Sequence, residues 1–253
     1  MVPVGDERPV ISTHSVRQAL ELAEDFSREL HKTTKASGFI KTLLQRRVGS
    51  SVLAGYNTAC RMLEEREVED EDGSDETGES IYPLAPEARA ILILLRDHLK
   101  HQIDTEGDPK FERVLEVLQS DFEGDIWLDR GVLIFTQYYD SALALCQFLA
   151  PKLEMPIGLY ANSSSSKLFE NGKIQTIDRE ILKEKIRVGA LNVLVGTDAA
   201  STGLNLQKLG SLINLDLPWN AIDPHETTAR GKPQKRARLP IRWPGMVQDR
   251  LSA

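Results

Sequence analysis

A chain of 253 residues, 41% hydrophobic and 27% charged, has room for one sizeable folded domain with appendages. Its formal net charge of −7 speaks against nucleic-acid binding by bulk charge alone. No apolar run approaches the roughly 18 residues that a membrane span needs, and the N-terminus lacks a signal-peptide pattern, so the expectation is a soluble cytoplasmic protein with no membrane contact.

Ser15–Leu30 places Val16, Leu20, Ala23, Phe26 and Leu30 at three- and four-residue spacing, which predicts an amphipathic helix. Phe39–Arg66 carries Ile40, Leu43, Leu44, Val48, Val52, Tyr56, Ala59 and Leu63 on one stripe, which predicts a second. Residues 1–66 therefore read as a helical segment. From Glu64 to Glu79 the chain holds ten acids and one arginine. With so few apolar side chains it cannot offset the entropy of ordering, and residues 67–83 are expected to form a disordered acidic linker.

Pro86 then opens the helical pattern "PEARAILILLRDHLKHQI", and Asp108-Pro109 opens "DPKFERVLEVLQSDF". Beyond these the texture changes to short apolar runs alternating with helical patterns. "GVLIFTQ", "MPIGLYA", "NVLVGTD" and "SLINLDL" are the strands; "DSALALCQFLAPKL" and "TIDREILKEKIRVG" are the helices, the latter stopped by Gly189. Continuously apolar strands separated by helices predict an α/β fold, a parallel sheet flanked by helices, over residues 84–220. Residues 221–253 are net basic and interrupted by prolines, an irregular tail. Cys60 and Cys146 fall within apolar helical patterns and are expected to be free thiols of a reducing compartment.

In a parallel sheet the loops after the strands share one edge, where ligands of open α/β sheets bind. That edge would collect "TQYYDS", "ANSSSS" and "TDAASTGLNLQ". Thr136, Gln137, Thr197 and Ser201 supply hydroxyls and amides, while Gly196 and Gly203 permit close backbone approach, a set suited to phosphate oxygens. The plainer alternative is that Thr197 and Asp198 only cap a turn.

"VLIFTQYYDSA", "DREILKEKIRVG", "VLVGTDAASTGLNLQ" and "LINLDLPWN" together resemble the second RecA-like lobe of superfamily-two helicases, with the closest likeness to bacterial Swi/Snf-type DNA-dependent ATPases. "QRRVGSSVLAGYNTACRMLE" is similar to the helical segment preceding that lobe, so the likeness runs from Lys35 to Asn220. The resemblance implies a motor that uses ATP and Mg held by a first lobe, with DNA as its partner. It implies that Thr197, Asp198 and Ser201, with Thr136 and Gln137, meet the nucleic-acid backbone. Gly203, Asn205 and Gln207 would face the nucleotide between the lobes. Thr202 stands where relatives commonly carry an acid, which removes a charge from that loop.

Two parts of such a motor are absent from the sequence. There is no G-x-x-x-x-G-K-[ST] loop to cradle phosphates, no strand ending in paired acids, and no set of metal ligands. Nor does a Gln-Arg-x-Gly-Arg helix follow "LPWN", leaving Arg230 and Arg236 as the candidate arginine fingers. Read one base later, the codons of Thr227–Gly231 are compatible with Gln-Arg-x-Gly, so a reading-frame change near Asn220 would account for the loss. The expectation is the C-terminal lobe of an ATP-dependent Swi/Snf-like DNA helicase or translocase, present as a fragment that is inactive alone unless a separate chain supplies the first lobe. The alternatives are a non-enzymatic nucleic-acid-binding or regulatory module and an inactive gene remnant.

Overall fold

The computed structural model describes residues 13–34, 37–66, 82–122, 125–162, 165–197, 209–216 and 235–238. Its first helix, α1 (His14–Leu30), starts where the Thr13 hydroxyl accepts the amide of Val16. It buries Ala19, Ala23, Phe26 and Leu30 along one face. The stripe expected as one helix from Phe39 to Arg66 is two, α2 (Ser37–Ser50) and α3 (Val52–Leu63). They part at Ser51, whose backbone is extended (φ −156°, ψ 156°) and whose hydroxyl accepts the amide of Ala54 at 3.1 Å. A serine that caps the next helix competes with continuing the previous one, and here the cap wins.

Helix α4 (Pro86–Thr105) packs on α1–α3 rather than on the sheet. Its Leu92, Leu95 and Leu99 are buried with Phe26, Leu30, Leu43, Leu44 and Met62 in a core of their own. Each of these burials is worth roughly 2 kcal/mol. A surface ion pair of the same unit, Lys41 with Glu24, contributes under about 1 kcal/mol, so packing holds the helices together.

The second core belongs to a sheet. Helix α5 (Pro109–Gln119) leads to two short antiparallel strands, β1 (Asp121–Phe122) and β2 (Asp125–Ile126), and a 3-10 turn. Then come β3 (Val132–Phe135), α6 (Tyr139–Leu153), β4 (Ile157–Tyr160), β5 (Lys167–Glu170), β6 (Lys173–Thr176), α7 (Arg179–Arg187), β7 (Val193–Gly196), β8 (Ser211–Asn214) and β9 (Lys235–Arg238). Among the described residues the sheet has seven strands in the order β6-β5-β4-β7-β3-β8-β9. Strands β4, β7, β3, β8 and β9 run parallel, whereas β5 and β6 are antiparallel additions at one edge. Every residue of β4 and β7 is buried, as a strand covered on both faces requires. One face packs Val132, Ile134, Leu145, Leu149 and Ile157 with Phe111 and Trp127 from α5 and the turn. The other packs Leu168, Leu182, Ile186, Leu191 and Leu194 under α7.

Two features differ from the sequence-based expectation. The polar stretch after β4 contains the β5–β6 hairpin, turned by Asn171 (φ 51°) and Gly172 (φ 71°), the Asn-Gly pair that a two-residue hairpin favours. Within the tail expected to be irregular, Lys235–Arg238 adds the parallel strand β9 beside β8.

Candidate functional site

Parallel register decides what the sheet presents at its C-terminal edge. Phe135 lies opposite Gly196 on one side and Asn214 on the other, and Tyr160 also lies opposite Gly196. The residues that follow therefore stand in a row: Ala161, Thr197, Thr136 and Leu215. The hydrogen-bond ladder continues through them, from Thr136 N to Gly196 O (3.0 Å), Thr197 N to Tyr160 O (3.1 Å) and Leu215 N to Phe135 O (2.8 Å). Thr136 and Thr197, 61 residues apart in sequence, thus neighbour each other on one edge. At the end of β4, Arg179 donates from Nε to the carbonyl of Ala161 at 2.7 Å and lies 4.8 Å over the Tyr160 ring.

The row does not offer every side chain that the sequence nominated. Thr136 is fully buried, and its hydroxyl donates to Asp216 Oδ2 at 2.6 Å. Its hydroxyl therefore already has an acceptor within the chain. Gln137 is half-buried and gives its backbone amide to the same Oδ2 at 2.8 Å. Thr197 is buried at the mouth of the loop that follows β7. Asp198, Ser201, Gly203, Asn205, Gln207 and Arg230 lie outside the described residues. Arg236 falls on β9 in register with Leu212, two positions short of the strand-end pair Asn214 and Arg238.

What the sequence reading missed is the cluster beneath the row. Asp216, one residue past Leu215, collects Thr136 Oγ1, the Gln137 amide and Ser50 Oγ (3.2 Å) on one oxygen. Lys110 Nζ stands 3.4 Å from the other oxygen and donates to the carbonyls of Leu215 (2.9 Å) and Ser50 (3.3 Å). At 3.4 Å the ion pair is longer than a charge-assisted hydrogen bond, so Lys110 serves Asp216 mainly as a counter-charge. Ser50 and Ser51 both reach Ser141 of α6, at 2.7 and 2.8 Å. Around this cluster, buried Arg47 lies 4.2 Å over the Tyr138 ring, and Arg61 pairs with Asp140 at 2.6 Å. Asp108 takes the amides of both Val52 and Lys110, and burial pushes its carboxyl above the usual range against those bonds. The signal for Asp216 was a lone acid at the end of an apolar strand. Such an acid has to find donors.

Residues 110–231 match the protein family described as the helicase conserved C-terminal domain. Over those residues the sheet-bearing lobe is similar to a helicase C-terminal domain. Its match begins at Lys110, the residue that neutralises Asp216. The chain is 28% identical over 191 residues to an uncharacterized ATP-dependent helicase, YqhH, of Bacillus subtilis, covering 74% of this chain and 27% of that protein. The sheet-bearing lobe and its helical unit also share a fold with solved structures. The helicase domain of Pyrococcus furiosus Hef aligns with a TM-score of 0.58 at 12% identity, over 95% of this chain and 56% of that one. The C-terminal part of the Fun30 ATPase domain aligns with a TM-score of 0.54 at 12% identity, over 95% and 86%.

ATP and Mg are the cofactors that such helicases imply. Among the described residues the strand-end edge brings together no glycine-rich lysine loop and no pair of acids. The hydroxyl of Thr136 and the amide of Gln137 are taken by Asp216. The described residues therefore make no complete phosphate cradle, and no hydrolytic step is assigned to them. Among the described residues no helix is long and apolar enough to cross a membrane.

Proposed function

We propose that the chain is the C-terminal lobe of an ATP-dependent, Swi/Snf-like DNA helicase or translocase. Its strand-end edge faces the nucleic-acid backbone and one side of a nucleotide, and the phosphates and Mg are held by a first lobe on another stretch of polypeptide. The row Ala161–Thr197–Thr136–Leu215 carries this reading, because it ends β7 at Thr197 on the same edge as the turn after β3. Gln137, Thr197, Asp198 and Ser201 are the proposed backbone contacts, with Thr136 bracing the turn from beneath. Gly203, Asn205 and Gln207 are the proposed nucleotide-facing residues. The free cysteines Cys60 and Cys146 suit a reducing, cytoplasmic setting.

Fluorescence anisotropy with a labelled DNA duplex tests the nucleic-acid part. Backbone contacts predict weak binding that falls steeply between about 50 and 200 mM salt, and that Ser201→Ala weakens. No binding at the lower salt sinks it. Adding a separately expressed first lobe tests the motor part, with DNA-stimulated ATP hydrolysis as the expected result. The sequence has no phosphate-cradling lysine loop, which favours a second reading as a nucleic-acid-binding or regulatory module without hydrolysis. Duplex binding with no ATPase in the mixture would select it.

A further inference from the structure

We infer that Asp216 is a positioning residue that yokes the helical unit to the strand-end edge, so that the turn after β3 and the α2–α3 joint open and close together. The inference builds on the reading of that edge as the ligand face. Asp216 belongs to the end of β8, yet each of its partners comes from another element. Thr136 and Gln137 belong to the turn after β3, Ser50 ends α2, and Lys110 sits in the first turn of α5. The cluster is largely screened from water, with the side chain of Lys110 5% exposed and that of Asp216 10% exposed. In such surroundings a lost partner leaves a buried polar group unsatisfied, so its members do not release one at a time.

The chain of contacts also runs on past Asp216. Ser50 passes from the carboxylate to Ser141 at the start of α6, and Ser51 makes a second bond to that hydroxyl. Lys110 fixes the carbonyl of Ser50 while also holding that of Leu215. A shift of the turn that carries Gln137 therefore pulls on the joint between α2 and α3. That joint is the place where the helix hydrogen-bond ladder is already broken. The helical unit and the sheet have largely separate cores, joined by Leu53 of α3 against the sheet core and by Arg47 over Tyr138, so the two variants at Asp216 and Ser50 are chosen to leave that packing in place.

Hydrogen–deuterium exchange on the full chain tests the coupling without ligand. Asp216→Asn is expected to speed exchange about tenfold at residues 136–138 and 50–54 together, with α7 unchanged as the internal reference. Ser50→Ala, which keeps the carboxylate, is expected to speed exchange at 136–138 across the interface. Acceleration at 136–138 alone in Asp216→Asn, or at 50–54 alone in Ser50→Ala, overturns the yoke. If Asp216→Asn does not fold, the response of 136–138 to Ser50→Ala decides by itself.

A labelled double-stranded DNA oligonucleotide supplies the readout that a purely structural role would not move. Its binding is expected to slow exchange at both segments in the parent chain and only at 136–138 in Ser50→Ala. Slowing at 136–138 alone in the parent overturns the inference. If the duplex does not bind the parent, the nucleic-acid reading falls, and the exchange measured without DNA still decides the yoke.

Discussion

The Asp108 carboxylate accepts the amide of Val52 at 2.9 Å, 56 residues away, while its other oxygen accepts the amide of Lys110 at 3.0 Å. One side chain thus caps two helices, the start of α3 and the start of α5, and fastens the helical unit to the lobe. A single cap is worth about 1 kcal/mol. Asp108→Ala is expected to cost roughly 2–4 kcal/mol in urea unfolding, since it also leaves two buried amides unpaired. Burial holds this carboxyl above its ordinary value, so the folded chain keeps its proton more readily than the unfolded one. The contribution is then fully present below the unfolded value of about 3.9 and is lost as pH rises through the raised folded value. The stability difference between the parent and Asp108→Asn should therefore shift against the parent as pH rises across that window. A difference that is flat with pH would refute it.

Lys110 faces a harder balance. Its side chain is nearly buried beside Asp216, and removing one member of a buried pair leaves the other uncompensated. Lys110→Met is expected to destabilise by about 3 kcal/mol, toward the low end because three neutral donors still reach the carboxylate. Adding Asp216→Asn to it should cost less than Asp216→Asn does alone, since the charge left behind is then gone. A double-mutant cycle by chemical unfolding measures the difference, and strict additivity would mean that the two charges do not interact.

These two positions also mark the limit of what the sequence makes readable. Four of the five parallel strands, β3, β4, β7 and β8, are legible because each is a continuous apolar run, the local trace of a strand covered on both faces. Gly189 is legible as a helix stop for a similar reason, and it has the left-handed φ of 76° that the position requires. Strand β6 is exposed at all four residues, so no periodicity betrays it; only Asn171-Gly172 signals the hairpin. The break at Ser51 hides because the apolar stripe stays in phase across it. Thr136 reads as an available hydroxyl because its acceptor, Asp216, lies 80 residues further along the chain. Long-range polar pairing has no local pattern. The shared strand-end edge was therefore legible in the sequence, and the pairing of Thr136 with Asp216 was not.

Two arginines of the helical unit touch α6 or the residue just before it, and they should differ sharply in weight. Arg61 pairs with Asp140 at 2.6 Å, but its side chain is 37% exposed, so Arg61→Ala is expected to cost under about 1 kcal/mol. Arg47 is buried, with its guanidinium carbon 4.2 Å from the centroid of the buried Tyr138 ring, where a desolvated cation–ring contact adds about 2 kcal/mol to the packing of its stem. Arg47→Ala should therefore shift the unfolding midpoint several times further than Arg61→Ala. Arg47→Lys should recover only part of the loss, because a compact, strongly hydrated ammonium does not replace a guanidinium over the ring. Equal effects from Arg47→Ala and Arg61→Ala in matched urea titrations would mean that the ring contact contributes nothing.

Gly55 shows how closely α2 and α3 are folded against each other. A Cβ placed there would meet Val48 Cγ2 at 2.7 Å, Val48 Cα at 3.1 Å and Leu99 Cδ1 at 3.3 Å. The first and last of these are side-chain atoms that can turn, but Val48 Cα is backbone of the facing helix and can yield only if α2 moves. Alanine normally favours a helix over glycine by about 1 kcal/mol, so propensity and packing oppose each other at this position. Overpacking of a filled core costs about 1–3 kcal/mol, and with backbone as the obstacle it should prevail. Gly55→Ala is expected to lower stability, and Gly55→Ala combined with Val48→Ala should recover little, since Val48 Cα remains. A Gly55→Ala chain more stable than the parent would show that α2 can retreat from α3 at negligible cost.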